Sequence, residues 1–192
     1  MTLTYSVAQA LRGRALDDDE RELIRLVAQG TPTAALVSKL SLSSKSIGYR
    51  LDRVAVKLGN PNRVRSGLVY RALVLRQIEA EPLEPVPSIR LNRRERVVLQ
   101  GVAEGRPLTR IADGLRLEDW ELSPIALGLR ERLGADDYAH AVWRGWQLQL
   151  IDAETPGLGG ATTRSSQNTA AGSRELPRPP RVRAAIPAGD QQ

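Results

Sequence analysis

The sequence predicts an all-α protein of two tandem four-helix units, joined by a Pro-rich linker and followed by a disordered C-terminal tail. Apolar residues recur at the three- and four-residue spacing of amphipathic helices, and no alternating pattern of a β-strand competes with it. The chain also repeats itself, which indicates that the units are related. Its 192 residues are enough for one ordinary domain or two very small ones.

The repeat becomes visible when the sequence is aligned with itself so that Leu16 lies opposite Leu91. Residues 16–78 then align with residues 91–153 without a gap, and thirteen positions are identical. Several identities fall at residues that end helices, such as Gly59 and Gly134. We interpret the repeat as a duplication, with a first copy at 16–78 and a second copy at 91–151.

The first two helices of the first copy are bounded by capping residues. A helix is predicted over 18–29, because Asp17 and Glu20 have the spacing of a capping box and Gly30 ends the helix. A short helix over 33–40 follows, with apolar residues at helical spacing.

The third helix is predicted over 44–58, after the favourable N-cap residue Ser43. Its helical spacing predicts a buried face of Ile47, Leu51, Val54 and Leu58. The fourth helix, over 65–78, is apolar nearly all round, so one of its faces should contact a partner. We expect it to pack on the corresponding helix of the second copy, over 138–151, as an internal pseudo-dimer, or to form a homodimer. The candidate interface residues are Leu68, Val69, Ala72, Val142, Trp143 and Trp146.

The outward side of the third helix is cationic. The window 43–58 has a net charge of +3, from Lys45, Arg50, Arg53 and Lys57 against one aspartate. Two helices joined by a three- or four-residue turn, with such a second helix, are typical of a helix-turn-helix. A solvated helix face is the simpler interpretation of the same charges.

The residues that carry this pattern also resemble a known family. The segments 16–30 (LDDDERELIRLVAQG) and 43–63 (SSKSIGYRLDRVAVKLGNPNR) are similar to the LuxR-type (GerE-type) helix-turn-helix DNA-binding domain. The resemblance implies a four-helix unit whose third helix enters the major groove and whose fourth helix often dimerises. Asp19 departs from the family pattern, which has Arg there. The candidate DNA-binding residues are Ser44, Lys45, Ser46, Tyr49, Arg50, Arg53, Lys57 and Arg63.

The second copy keeps the helix signals but loses the cationic third helix. Asn92 and Glu95 again have the spacing of a capping box, whereas the window 118–133 has a net charge of −2 and should repel phosphate. Pro124 would lie in the second turn of the aligned helix, so we predict a later start and a helix over 124–133. The second copy is therefore expected to be a scaffold that does not bind DNA. Its acidic residues Glu118, Asp119 and Glu121 are interpreted as a solvated helix face, with a surface for a protein partner as the alternative.

The remaining segments are an N-terminal segment at 1–15, a linker at 79–90 with three prolines, and a tail at 152–192 that is predicted to be disordered. The chain has no Cys and one His, His140, which excludes disulfides and thiolate metal sites. We predict no enzyme, no catalytic residue, no metal site and no cofactor. Without a long apolar run, no membrane is expected as a partner, and the predicted location is cytoplasmic and nucleoid-associated.

The sequence therefore predicts a bacterial transcriptional regulator that binds double-stranded DNA through the third helix of the first copy. The net charge of +6 agrees with an anionic partner. The alternative is a protein-interaction module that modulates another regulator or RNA polymerase and has little DNA binding of its own.

Overall fold

The computed structural model describes residues 13–60, 62–84 and 88–153, where α-helix is the main regular secondary structure. This part of the chain holds eight α-helices and no β-strand, which confirms the predicted all-α class. None of these helices is long and apolar enough to span a membrane. Most of the predicted N-terminal segment and nearly all of the predicted tail lie outside the described residues. The helices are α1 (Asp18–Ala28), α2 (Thr33–Leu40), α3 (Ser44–Lys57), α4 (Arg65–Val74), α5 (Arg93–Ala103), α6 (Leu108–Leu115), α7 (Asp119–Leu133) and α8 (Tyr138–Gln147).

Local capping signals explain where most of these helices begin. The Asp17 carboxylate accepts the Glu20 N–H at 2.9 Å, and Glu20 accepts the Asp17 N–H at 3.0 Å, so the predicted capping box is present. Asn92 and Glu95 make the same two bonds in the second copy. Helices α4 and α8 end four residues earlier than predicted, at Val74 and Gln147. Arg76 and Gln149 then have a positive φ, which breaks the helical path.

The predicted start of α7 is wrong. The helix begins at Asp119, five residues before the predicted first residue, and holds Pro124 in its second turn. The Ser123 hydroxyl donates to the Asp119 carbonyl at 2.8 Å within this turn. Proline there removes one backbone hydrogen bond, but the early start places Leu122 in the core, where it is 1% exposed. Burying this leucine offsets the loss of the bond.

The two copies fold alike, but their last helices do not follow the gap-free alignment. The first three helices of the second copy begin where that alignment places them, whereas α8 begins at Tyr138, two residues before the position aligned with the start of α4. Arg71 Nε donates to the Leu58 carbonyl, and Arg144 Nε donates to the Leu133 carbonyl. The gap-free alignment is therefore wrong beyond Gly59. Shifting the second copy by two residues beyond this point corrects the alignment. Two identities of the gap-free alignment are lost and four are gained: Val69 and Val142, Arg71 and Arg144, Leu75 and Leu148, Ile78 and Ile151.

Helices α4 and α8 make the most extensive contact between helices in the described part of the chain. Their predicted packing is confirmed. The Tyr70 and Trp146 rings meet edge to face, with 6.1 Å between their centroids. Of the predicted interface residues, Leu68, Val69, Ala72 and Val142 are fully buried, and Trp143 and Trp146 are half-buried.

Two turns complete the contact between the copies. The turn at Gly105 lies against Gly67 of α4, so close that a Cβ atom on Gly67 would come within 3.2 Å of the Gly105 Cα. The turn at Gly30 approaches His140, which is the residue of α8 equivalent to Gly67. Because each copy presents the same turn to the last helix of the other, the copies pack as an approximate two-fold pair within one compact unit.

Candidate nucleic-acid interface

Helix α3 is held to the core by one face, which leaves the other open. A three-residue turn, 41–43, joins it to α2, and the Ser43 hydroxyl accepts the Ser46 N–H at 3.1 Å to cap its first turn. Ile47 and Val54 are 1% and 0% exposed on the inner face. The predicted buried positions at Leu51 and Leu58 are half-buried and buried, respectively. The opposite face of α3 is accordingly directed away from the core.

Most of the predicted DNA-binding residues meet on this outer face. A shallow cavity of about 560 Å³ runs along it, between the first turn and the middle of the helix. Tyr49 is 43% exposed there, and Ser44 and Lys45 are exposed at the N-terminal end. We call this surface the α3 face and define it by the polar and aromatic lining residues Lys45, Ser46, Tyr49, Arg50, Asp52 and Arg53.

Carboxylates neutralise much of the charge of the α3 face. Lys45 makes no ion pair with any residue that the structure describes, whereas three arginines do. The pairs are Arg50 with Asp19 at 3.0 Å, Arg53 with Glu20 at 3.6 Å, and Arg63 with Asp52 at 3.2 Å. Adding the four acids of residues 17–20 to the +3 of the window 43–58 gives a local net charge of −1. An approaching phosphate must therefore compete with Asp19 for Arg50.

Lys57 is not on the α3 face, and its prediction as a DNA contact is wrong. Its side chain is 7% exposed and lies between α3 and α1. The ammonium group contacts Glu20 Oε2 at 2.5 Å and Asp17 Oδ2 at 3.7 Å, and donates to the Ala15 carbonyl at 3.4 Å. Helical spacing places Lys57 on one side of α3 but does not show whether a neighbouring helix covers that side. The burial of Lys57 could therefore not be predicted from the sequence.

The second copy repeats the same ion pair, although here the basic side chain, Arg132, is 46% exposed. Arg132, the counterpart of Lys57, contacts Glu95 Oε1 at 2.5 Å and donates to the Arg90 carbonyl at 2.6 Å. Glu95 and Arg90 are the counterparts of Glu20 and Ala15. Because the pair occurs in both copies, including the one with an acidic third helix, it serves to join the third helix to the first in each fold.

The positive charge of Lys57 also acts on Asp17. Partial burial raises the pKa of this carboxyl, but the hydrogen bond from the Glu20 N–H and the charge of Lys57 outweigh it and hold the pKa below its ordinary value. A group with a lowered pKa in the folded state stabilises the fold above its unfolded pKa. That contribution disappears as the pH falls through the folded pKa.

Replacing Asp17 with asparagine should therefore reduce the loss of stability in acid. Asparagine keeps the cap, as Asn92 shows by accepting the Glu95 N–H at 2.9 Å, but it carries no charge for Lys57 to attract. The check is urea unfolding of wild type and Asp17→Asn at several pH values from neutral to below about 4, the ordinary pKa of Asp. Equal acid slopes for the two proteins would contradict the role assigned to Lys57 at this cap.

Asp19 contacts the α3 face through Arg50, although the sequence did not place it among the candidate DNA-binding residues. It stands where the LuxR-type pattern has Arg, and its counterpart in the second copy is Arg94. The available signal was the charge change between the copies, but the contact with Arg50 depends on how α1 packs on α3.

The second copy differs further from the first on α7. Trp120 and Leu127, the counterparts of Lys45 and Asp52, are 75% and 51% exposed.

Comparison with protein families, with curated proteins and with solved structures found no match to this chain. Within the described residues, no group of three or more His, Cys, Asp or Glu side chains is arranged to hold a metal ion.

Proposed function

We propose that this protein binds duplex DNA through α3 and regulates transcription in a bacterium. The observation that carries the proposal is the α3 face. Hydroxyl and cationic side chains converge there, together with the carboxylate of Asp52, on one open cavity, on the side of the helix that the core leaves free. The resemblance of the first copy to the LuxR-type domain supports the same function. In this proposal, α2, the turn 41–43 and α3 form the helix-turn-helix.

The geometry suggests how the α3 face would meet a duplex. A helix fits the major groove, and the first turn of a recognition helix contacts base edges. Ser44, Lys45 and Tyr49 are the exposed side chains nearest that end of α3. Arg50 and Arg53 lie further along. Arg53 pairs with the buried carboxylate of Glu20, whereas Arg50 would exchange the exposed carboxylate of Asp19 for a backbone phosphate. The exchange is cheap, because an exposed ion pair is worth only about 0.2–1 kcal/mol.

The salt dependence of binding tests this proposal. Four cations, Lys45, Arg50, Arg53 and Arg63, would displace about four counterions, so the slope of log affinity against log salt should be about −3.6. The double variant Lys45→Ala/Arg50→Ala should halve that slope to about −1.8. Titration of a fluorescent duplex by anisotropy, at several salt concentrations, gives both values.

A charge-matched double variant provides the control for this titration. Arg25 and Arg96 are exposed, lie on α1 and α5, and do not line the α3 face. Replacing both with alanine changes the net charge by the same amount and should leave the slope close to that of wild type. Equal losses of slope in both double variants would mean that the α3 face is not the DNA contact.

Removing the carboxylate of Asp19 should tighten DNA binding. Asp19→Asn frees Arg50 and removes a negative charge beside the incoming phosphates, so we expect affinity to rise about two- to fivefold at low salt. Glu22→Gln is the matched control, since Glu22 is an exposed acid on α1 that pairs with Arg25 and does not line the α3 face. Affinity that falls in Asp19→Asn, or rises equally in both variants, would count against contact between Arg50 and phosphate.

A second candidate function, the protein-interaction module, is favoured by the exposed apolar residues of α7. Trp120 is the most exposed large apolar side chain in the described part of the chain, and acidic residues flank it. An apolar centre with an acidic rim suits a partner that presents apolar and basic side chains. The absence of duplex binding even at low salt would favour this function over DNA binding.

A further inference from the structure

Five arginines of the second copy surround one open cleft between α5 and α6. The cleft has a volume of about 370 Å³, and its aliphatic lining comes from Val97, Ile111 and Leu115. No acidic side chain lines it. We call it the arginine cleft. Its cationic residues are Arg93, Arg94, Arg106, Arg110 and Arg116.

Most of the positive charge of the arginine cleft is not neutralised. Arg106 pairs with Glu104, and Arg110 lies 3.8 Å from Asp113 in a largely exposed contact. The other three arginines make no ion pair with any residue that the structure describes. Gathering like charges around one concave surface disfavours the folded state. The contacts of the described residues therefore do not explain why five arginines lie together here.

The first copy shows that the fold does not require these arginines. The positions aligned with them in the first copy hold Asp18, Asp19, Thr31, Ala35 and Ser41. The same two helices thus form in the first copy without a single basic residue at these sites. The charge distribution is also inverted between the copies, because the first copy is acidic here and cationic on α3. The arginine cleft is a property of the second copy alone.

We propose that the arginine cleft binds the phosphate groups of a multiply phosphorylated ligand. A guanidinium presents two parallel N–H donors, which match a phosphate better than an ammonium group does, and five of them suit several adjacent phosphates. Arg93 and Arg94 are the first two residues of α5, where the helix dipole adds to the attraction of an anion. The aliphatic lining accommodates a less polar part of the ligand. Two sources share this chemistry: a free oligophosphate or nucleotide, and the backbone of DNA.

Calorimetric titration of the full chain with inorganic triphosphate tests the proposal without reference to α3. At about 0.15 M salt, where surface attraction is screened, wild type should bind one triphosphate. Arg94→Ala/Arg116→Ala removes two arginines without an ion pair and should weaken binding about tenfold or more. Arg25→Ala/Arg96→Ala is the charge-matched control and should bind as wild type does. Thermal unfolding of each variant verifies that it is folded.

A DNA arm distinguishes the two sources of phosphate. Loss of triphosphate binding in the cleft variant alone supports a free ligand. An absence of triphosphate binding, together with a loss of duplex affinity in the cleft variant that the control does not show, supports DNA backbone contact. The proposal is overturned if the cleft variant matches the control in both titrations. Lys45→Ala/Arg50→Ala should bind triphosphate normally, so failure of the α3 proposal and failure of this one remain distinguishable.

Discussion

Replacing Lys57 with methionine should lower the free energy of unfolding by about 3 kcal/mol. Removing one partner of a buried ion pair typically costs about 3–5 kcal/mol, because the remaining charge stays buried without compensation. Glu20 is the remaining charge and is 2% exposed. The lower end of the range applies, since Arg53 remains 3.6 Å from its other carboxylate oxygen. Urea unfolding followed by circular dichroism measures the change.

The second copy supplies the control for this prediction. Arg132 occupies the equivalent position, so Lys57→Arg keeps the charge and should retain most of the stability. DNA affinity of the folded fraction should change little in either variant. If Lys57→Met stays as stable as wild type but loses affinity and salt slope, then Lys57 contacts DNA and the buried contact with Glu20 does not describe its role.

Replacing Gly67 with alanine should destabilise the protein by about 1–3 kcal/mol, the usual cost of overpacking. The added methyl group would lie 2.8 Å from Asn60 Nδ2 and 3.2 Å from the Gly105 Cα. The side-chain amide can move, but the Gly105 backbone can do so only if the turn after α5 shifts. The substitution therefore forces α4 of the first copy away from the Gly105 turn of the second. Urea unfolding measures the resulting loss of stability.

Gly128 is the matched control, because it is a helical glycine of α7 with nothing within 4 Å of an added Cβ. Alanine there should stabilise the protein by about 0.5–1 kcal/mol, since it lowers the entropy lost on folding. The two glycine substitutions are thus expected to have opposite signs. A stable Gly67→Ala protein would show that the close approach of α4 to the Gly105 turn is not needed for the copies to pack.

The sequence could predict what depends on neighbouring residues. Asp17 with Glu20, Asn92 with Glu95, and Ser43 each cap a helix through bonds that span three residues. Such bonds need no information from the rest of the chain. The all-α class and the starts of the first four helices follow from these signals and from helical periodicity. The packing of α4 on α8 was also predictable, because helices apolar nearly all round require a partner.

The position of α7 could not be predicted from local preference alone. Pro124 and Ser123 favour a helix start by their own chemistry. Burial of Leu122 in the core stabilises the longer helix instead, and the core is assembled from both copies. The altered spacing before α8 has the same origin. Two residues are absent there relative to the first copy, yet Arg144 still reaches the Leu133 carbonyl because the packing of the helix, not its distance along the chain, sets its position.

Local sequence was enough to specify the all-α class, the starts of the first four helices, several of their caps, the duplication and the cationic character of α3. Which charges are free to meet a ligand was settled only when the helices packed. Lys57 became a buried partner of Glu20, Asp19 came to lie on Arg50, and the arginines of α5 and α6 gathered around one cleft. This difference arises because a charge interacts over a few ångströms of space, with little regard to its distance along the chain. Helical periodicity places a side chain on a face of its own helix but carries no record of what the neighbouring helix presents to that face.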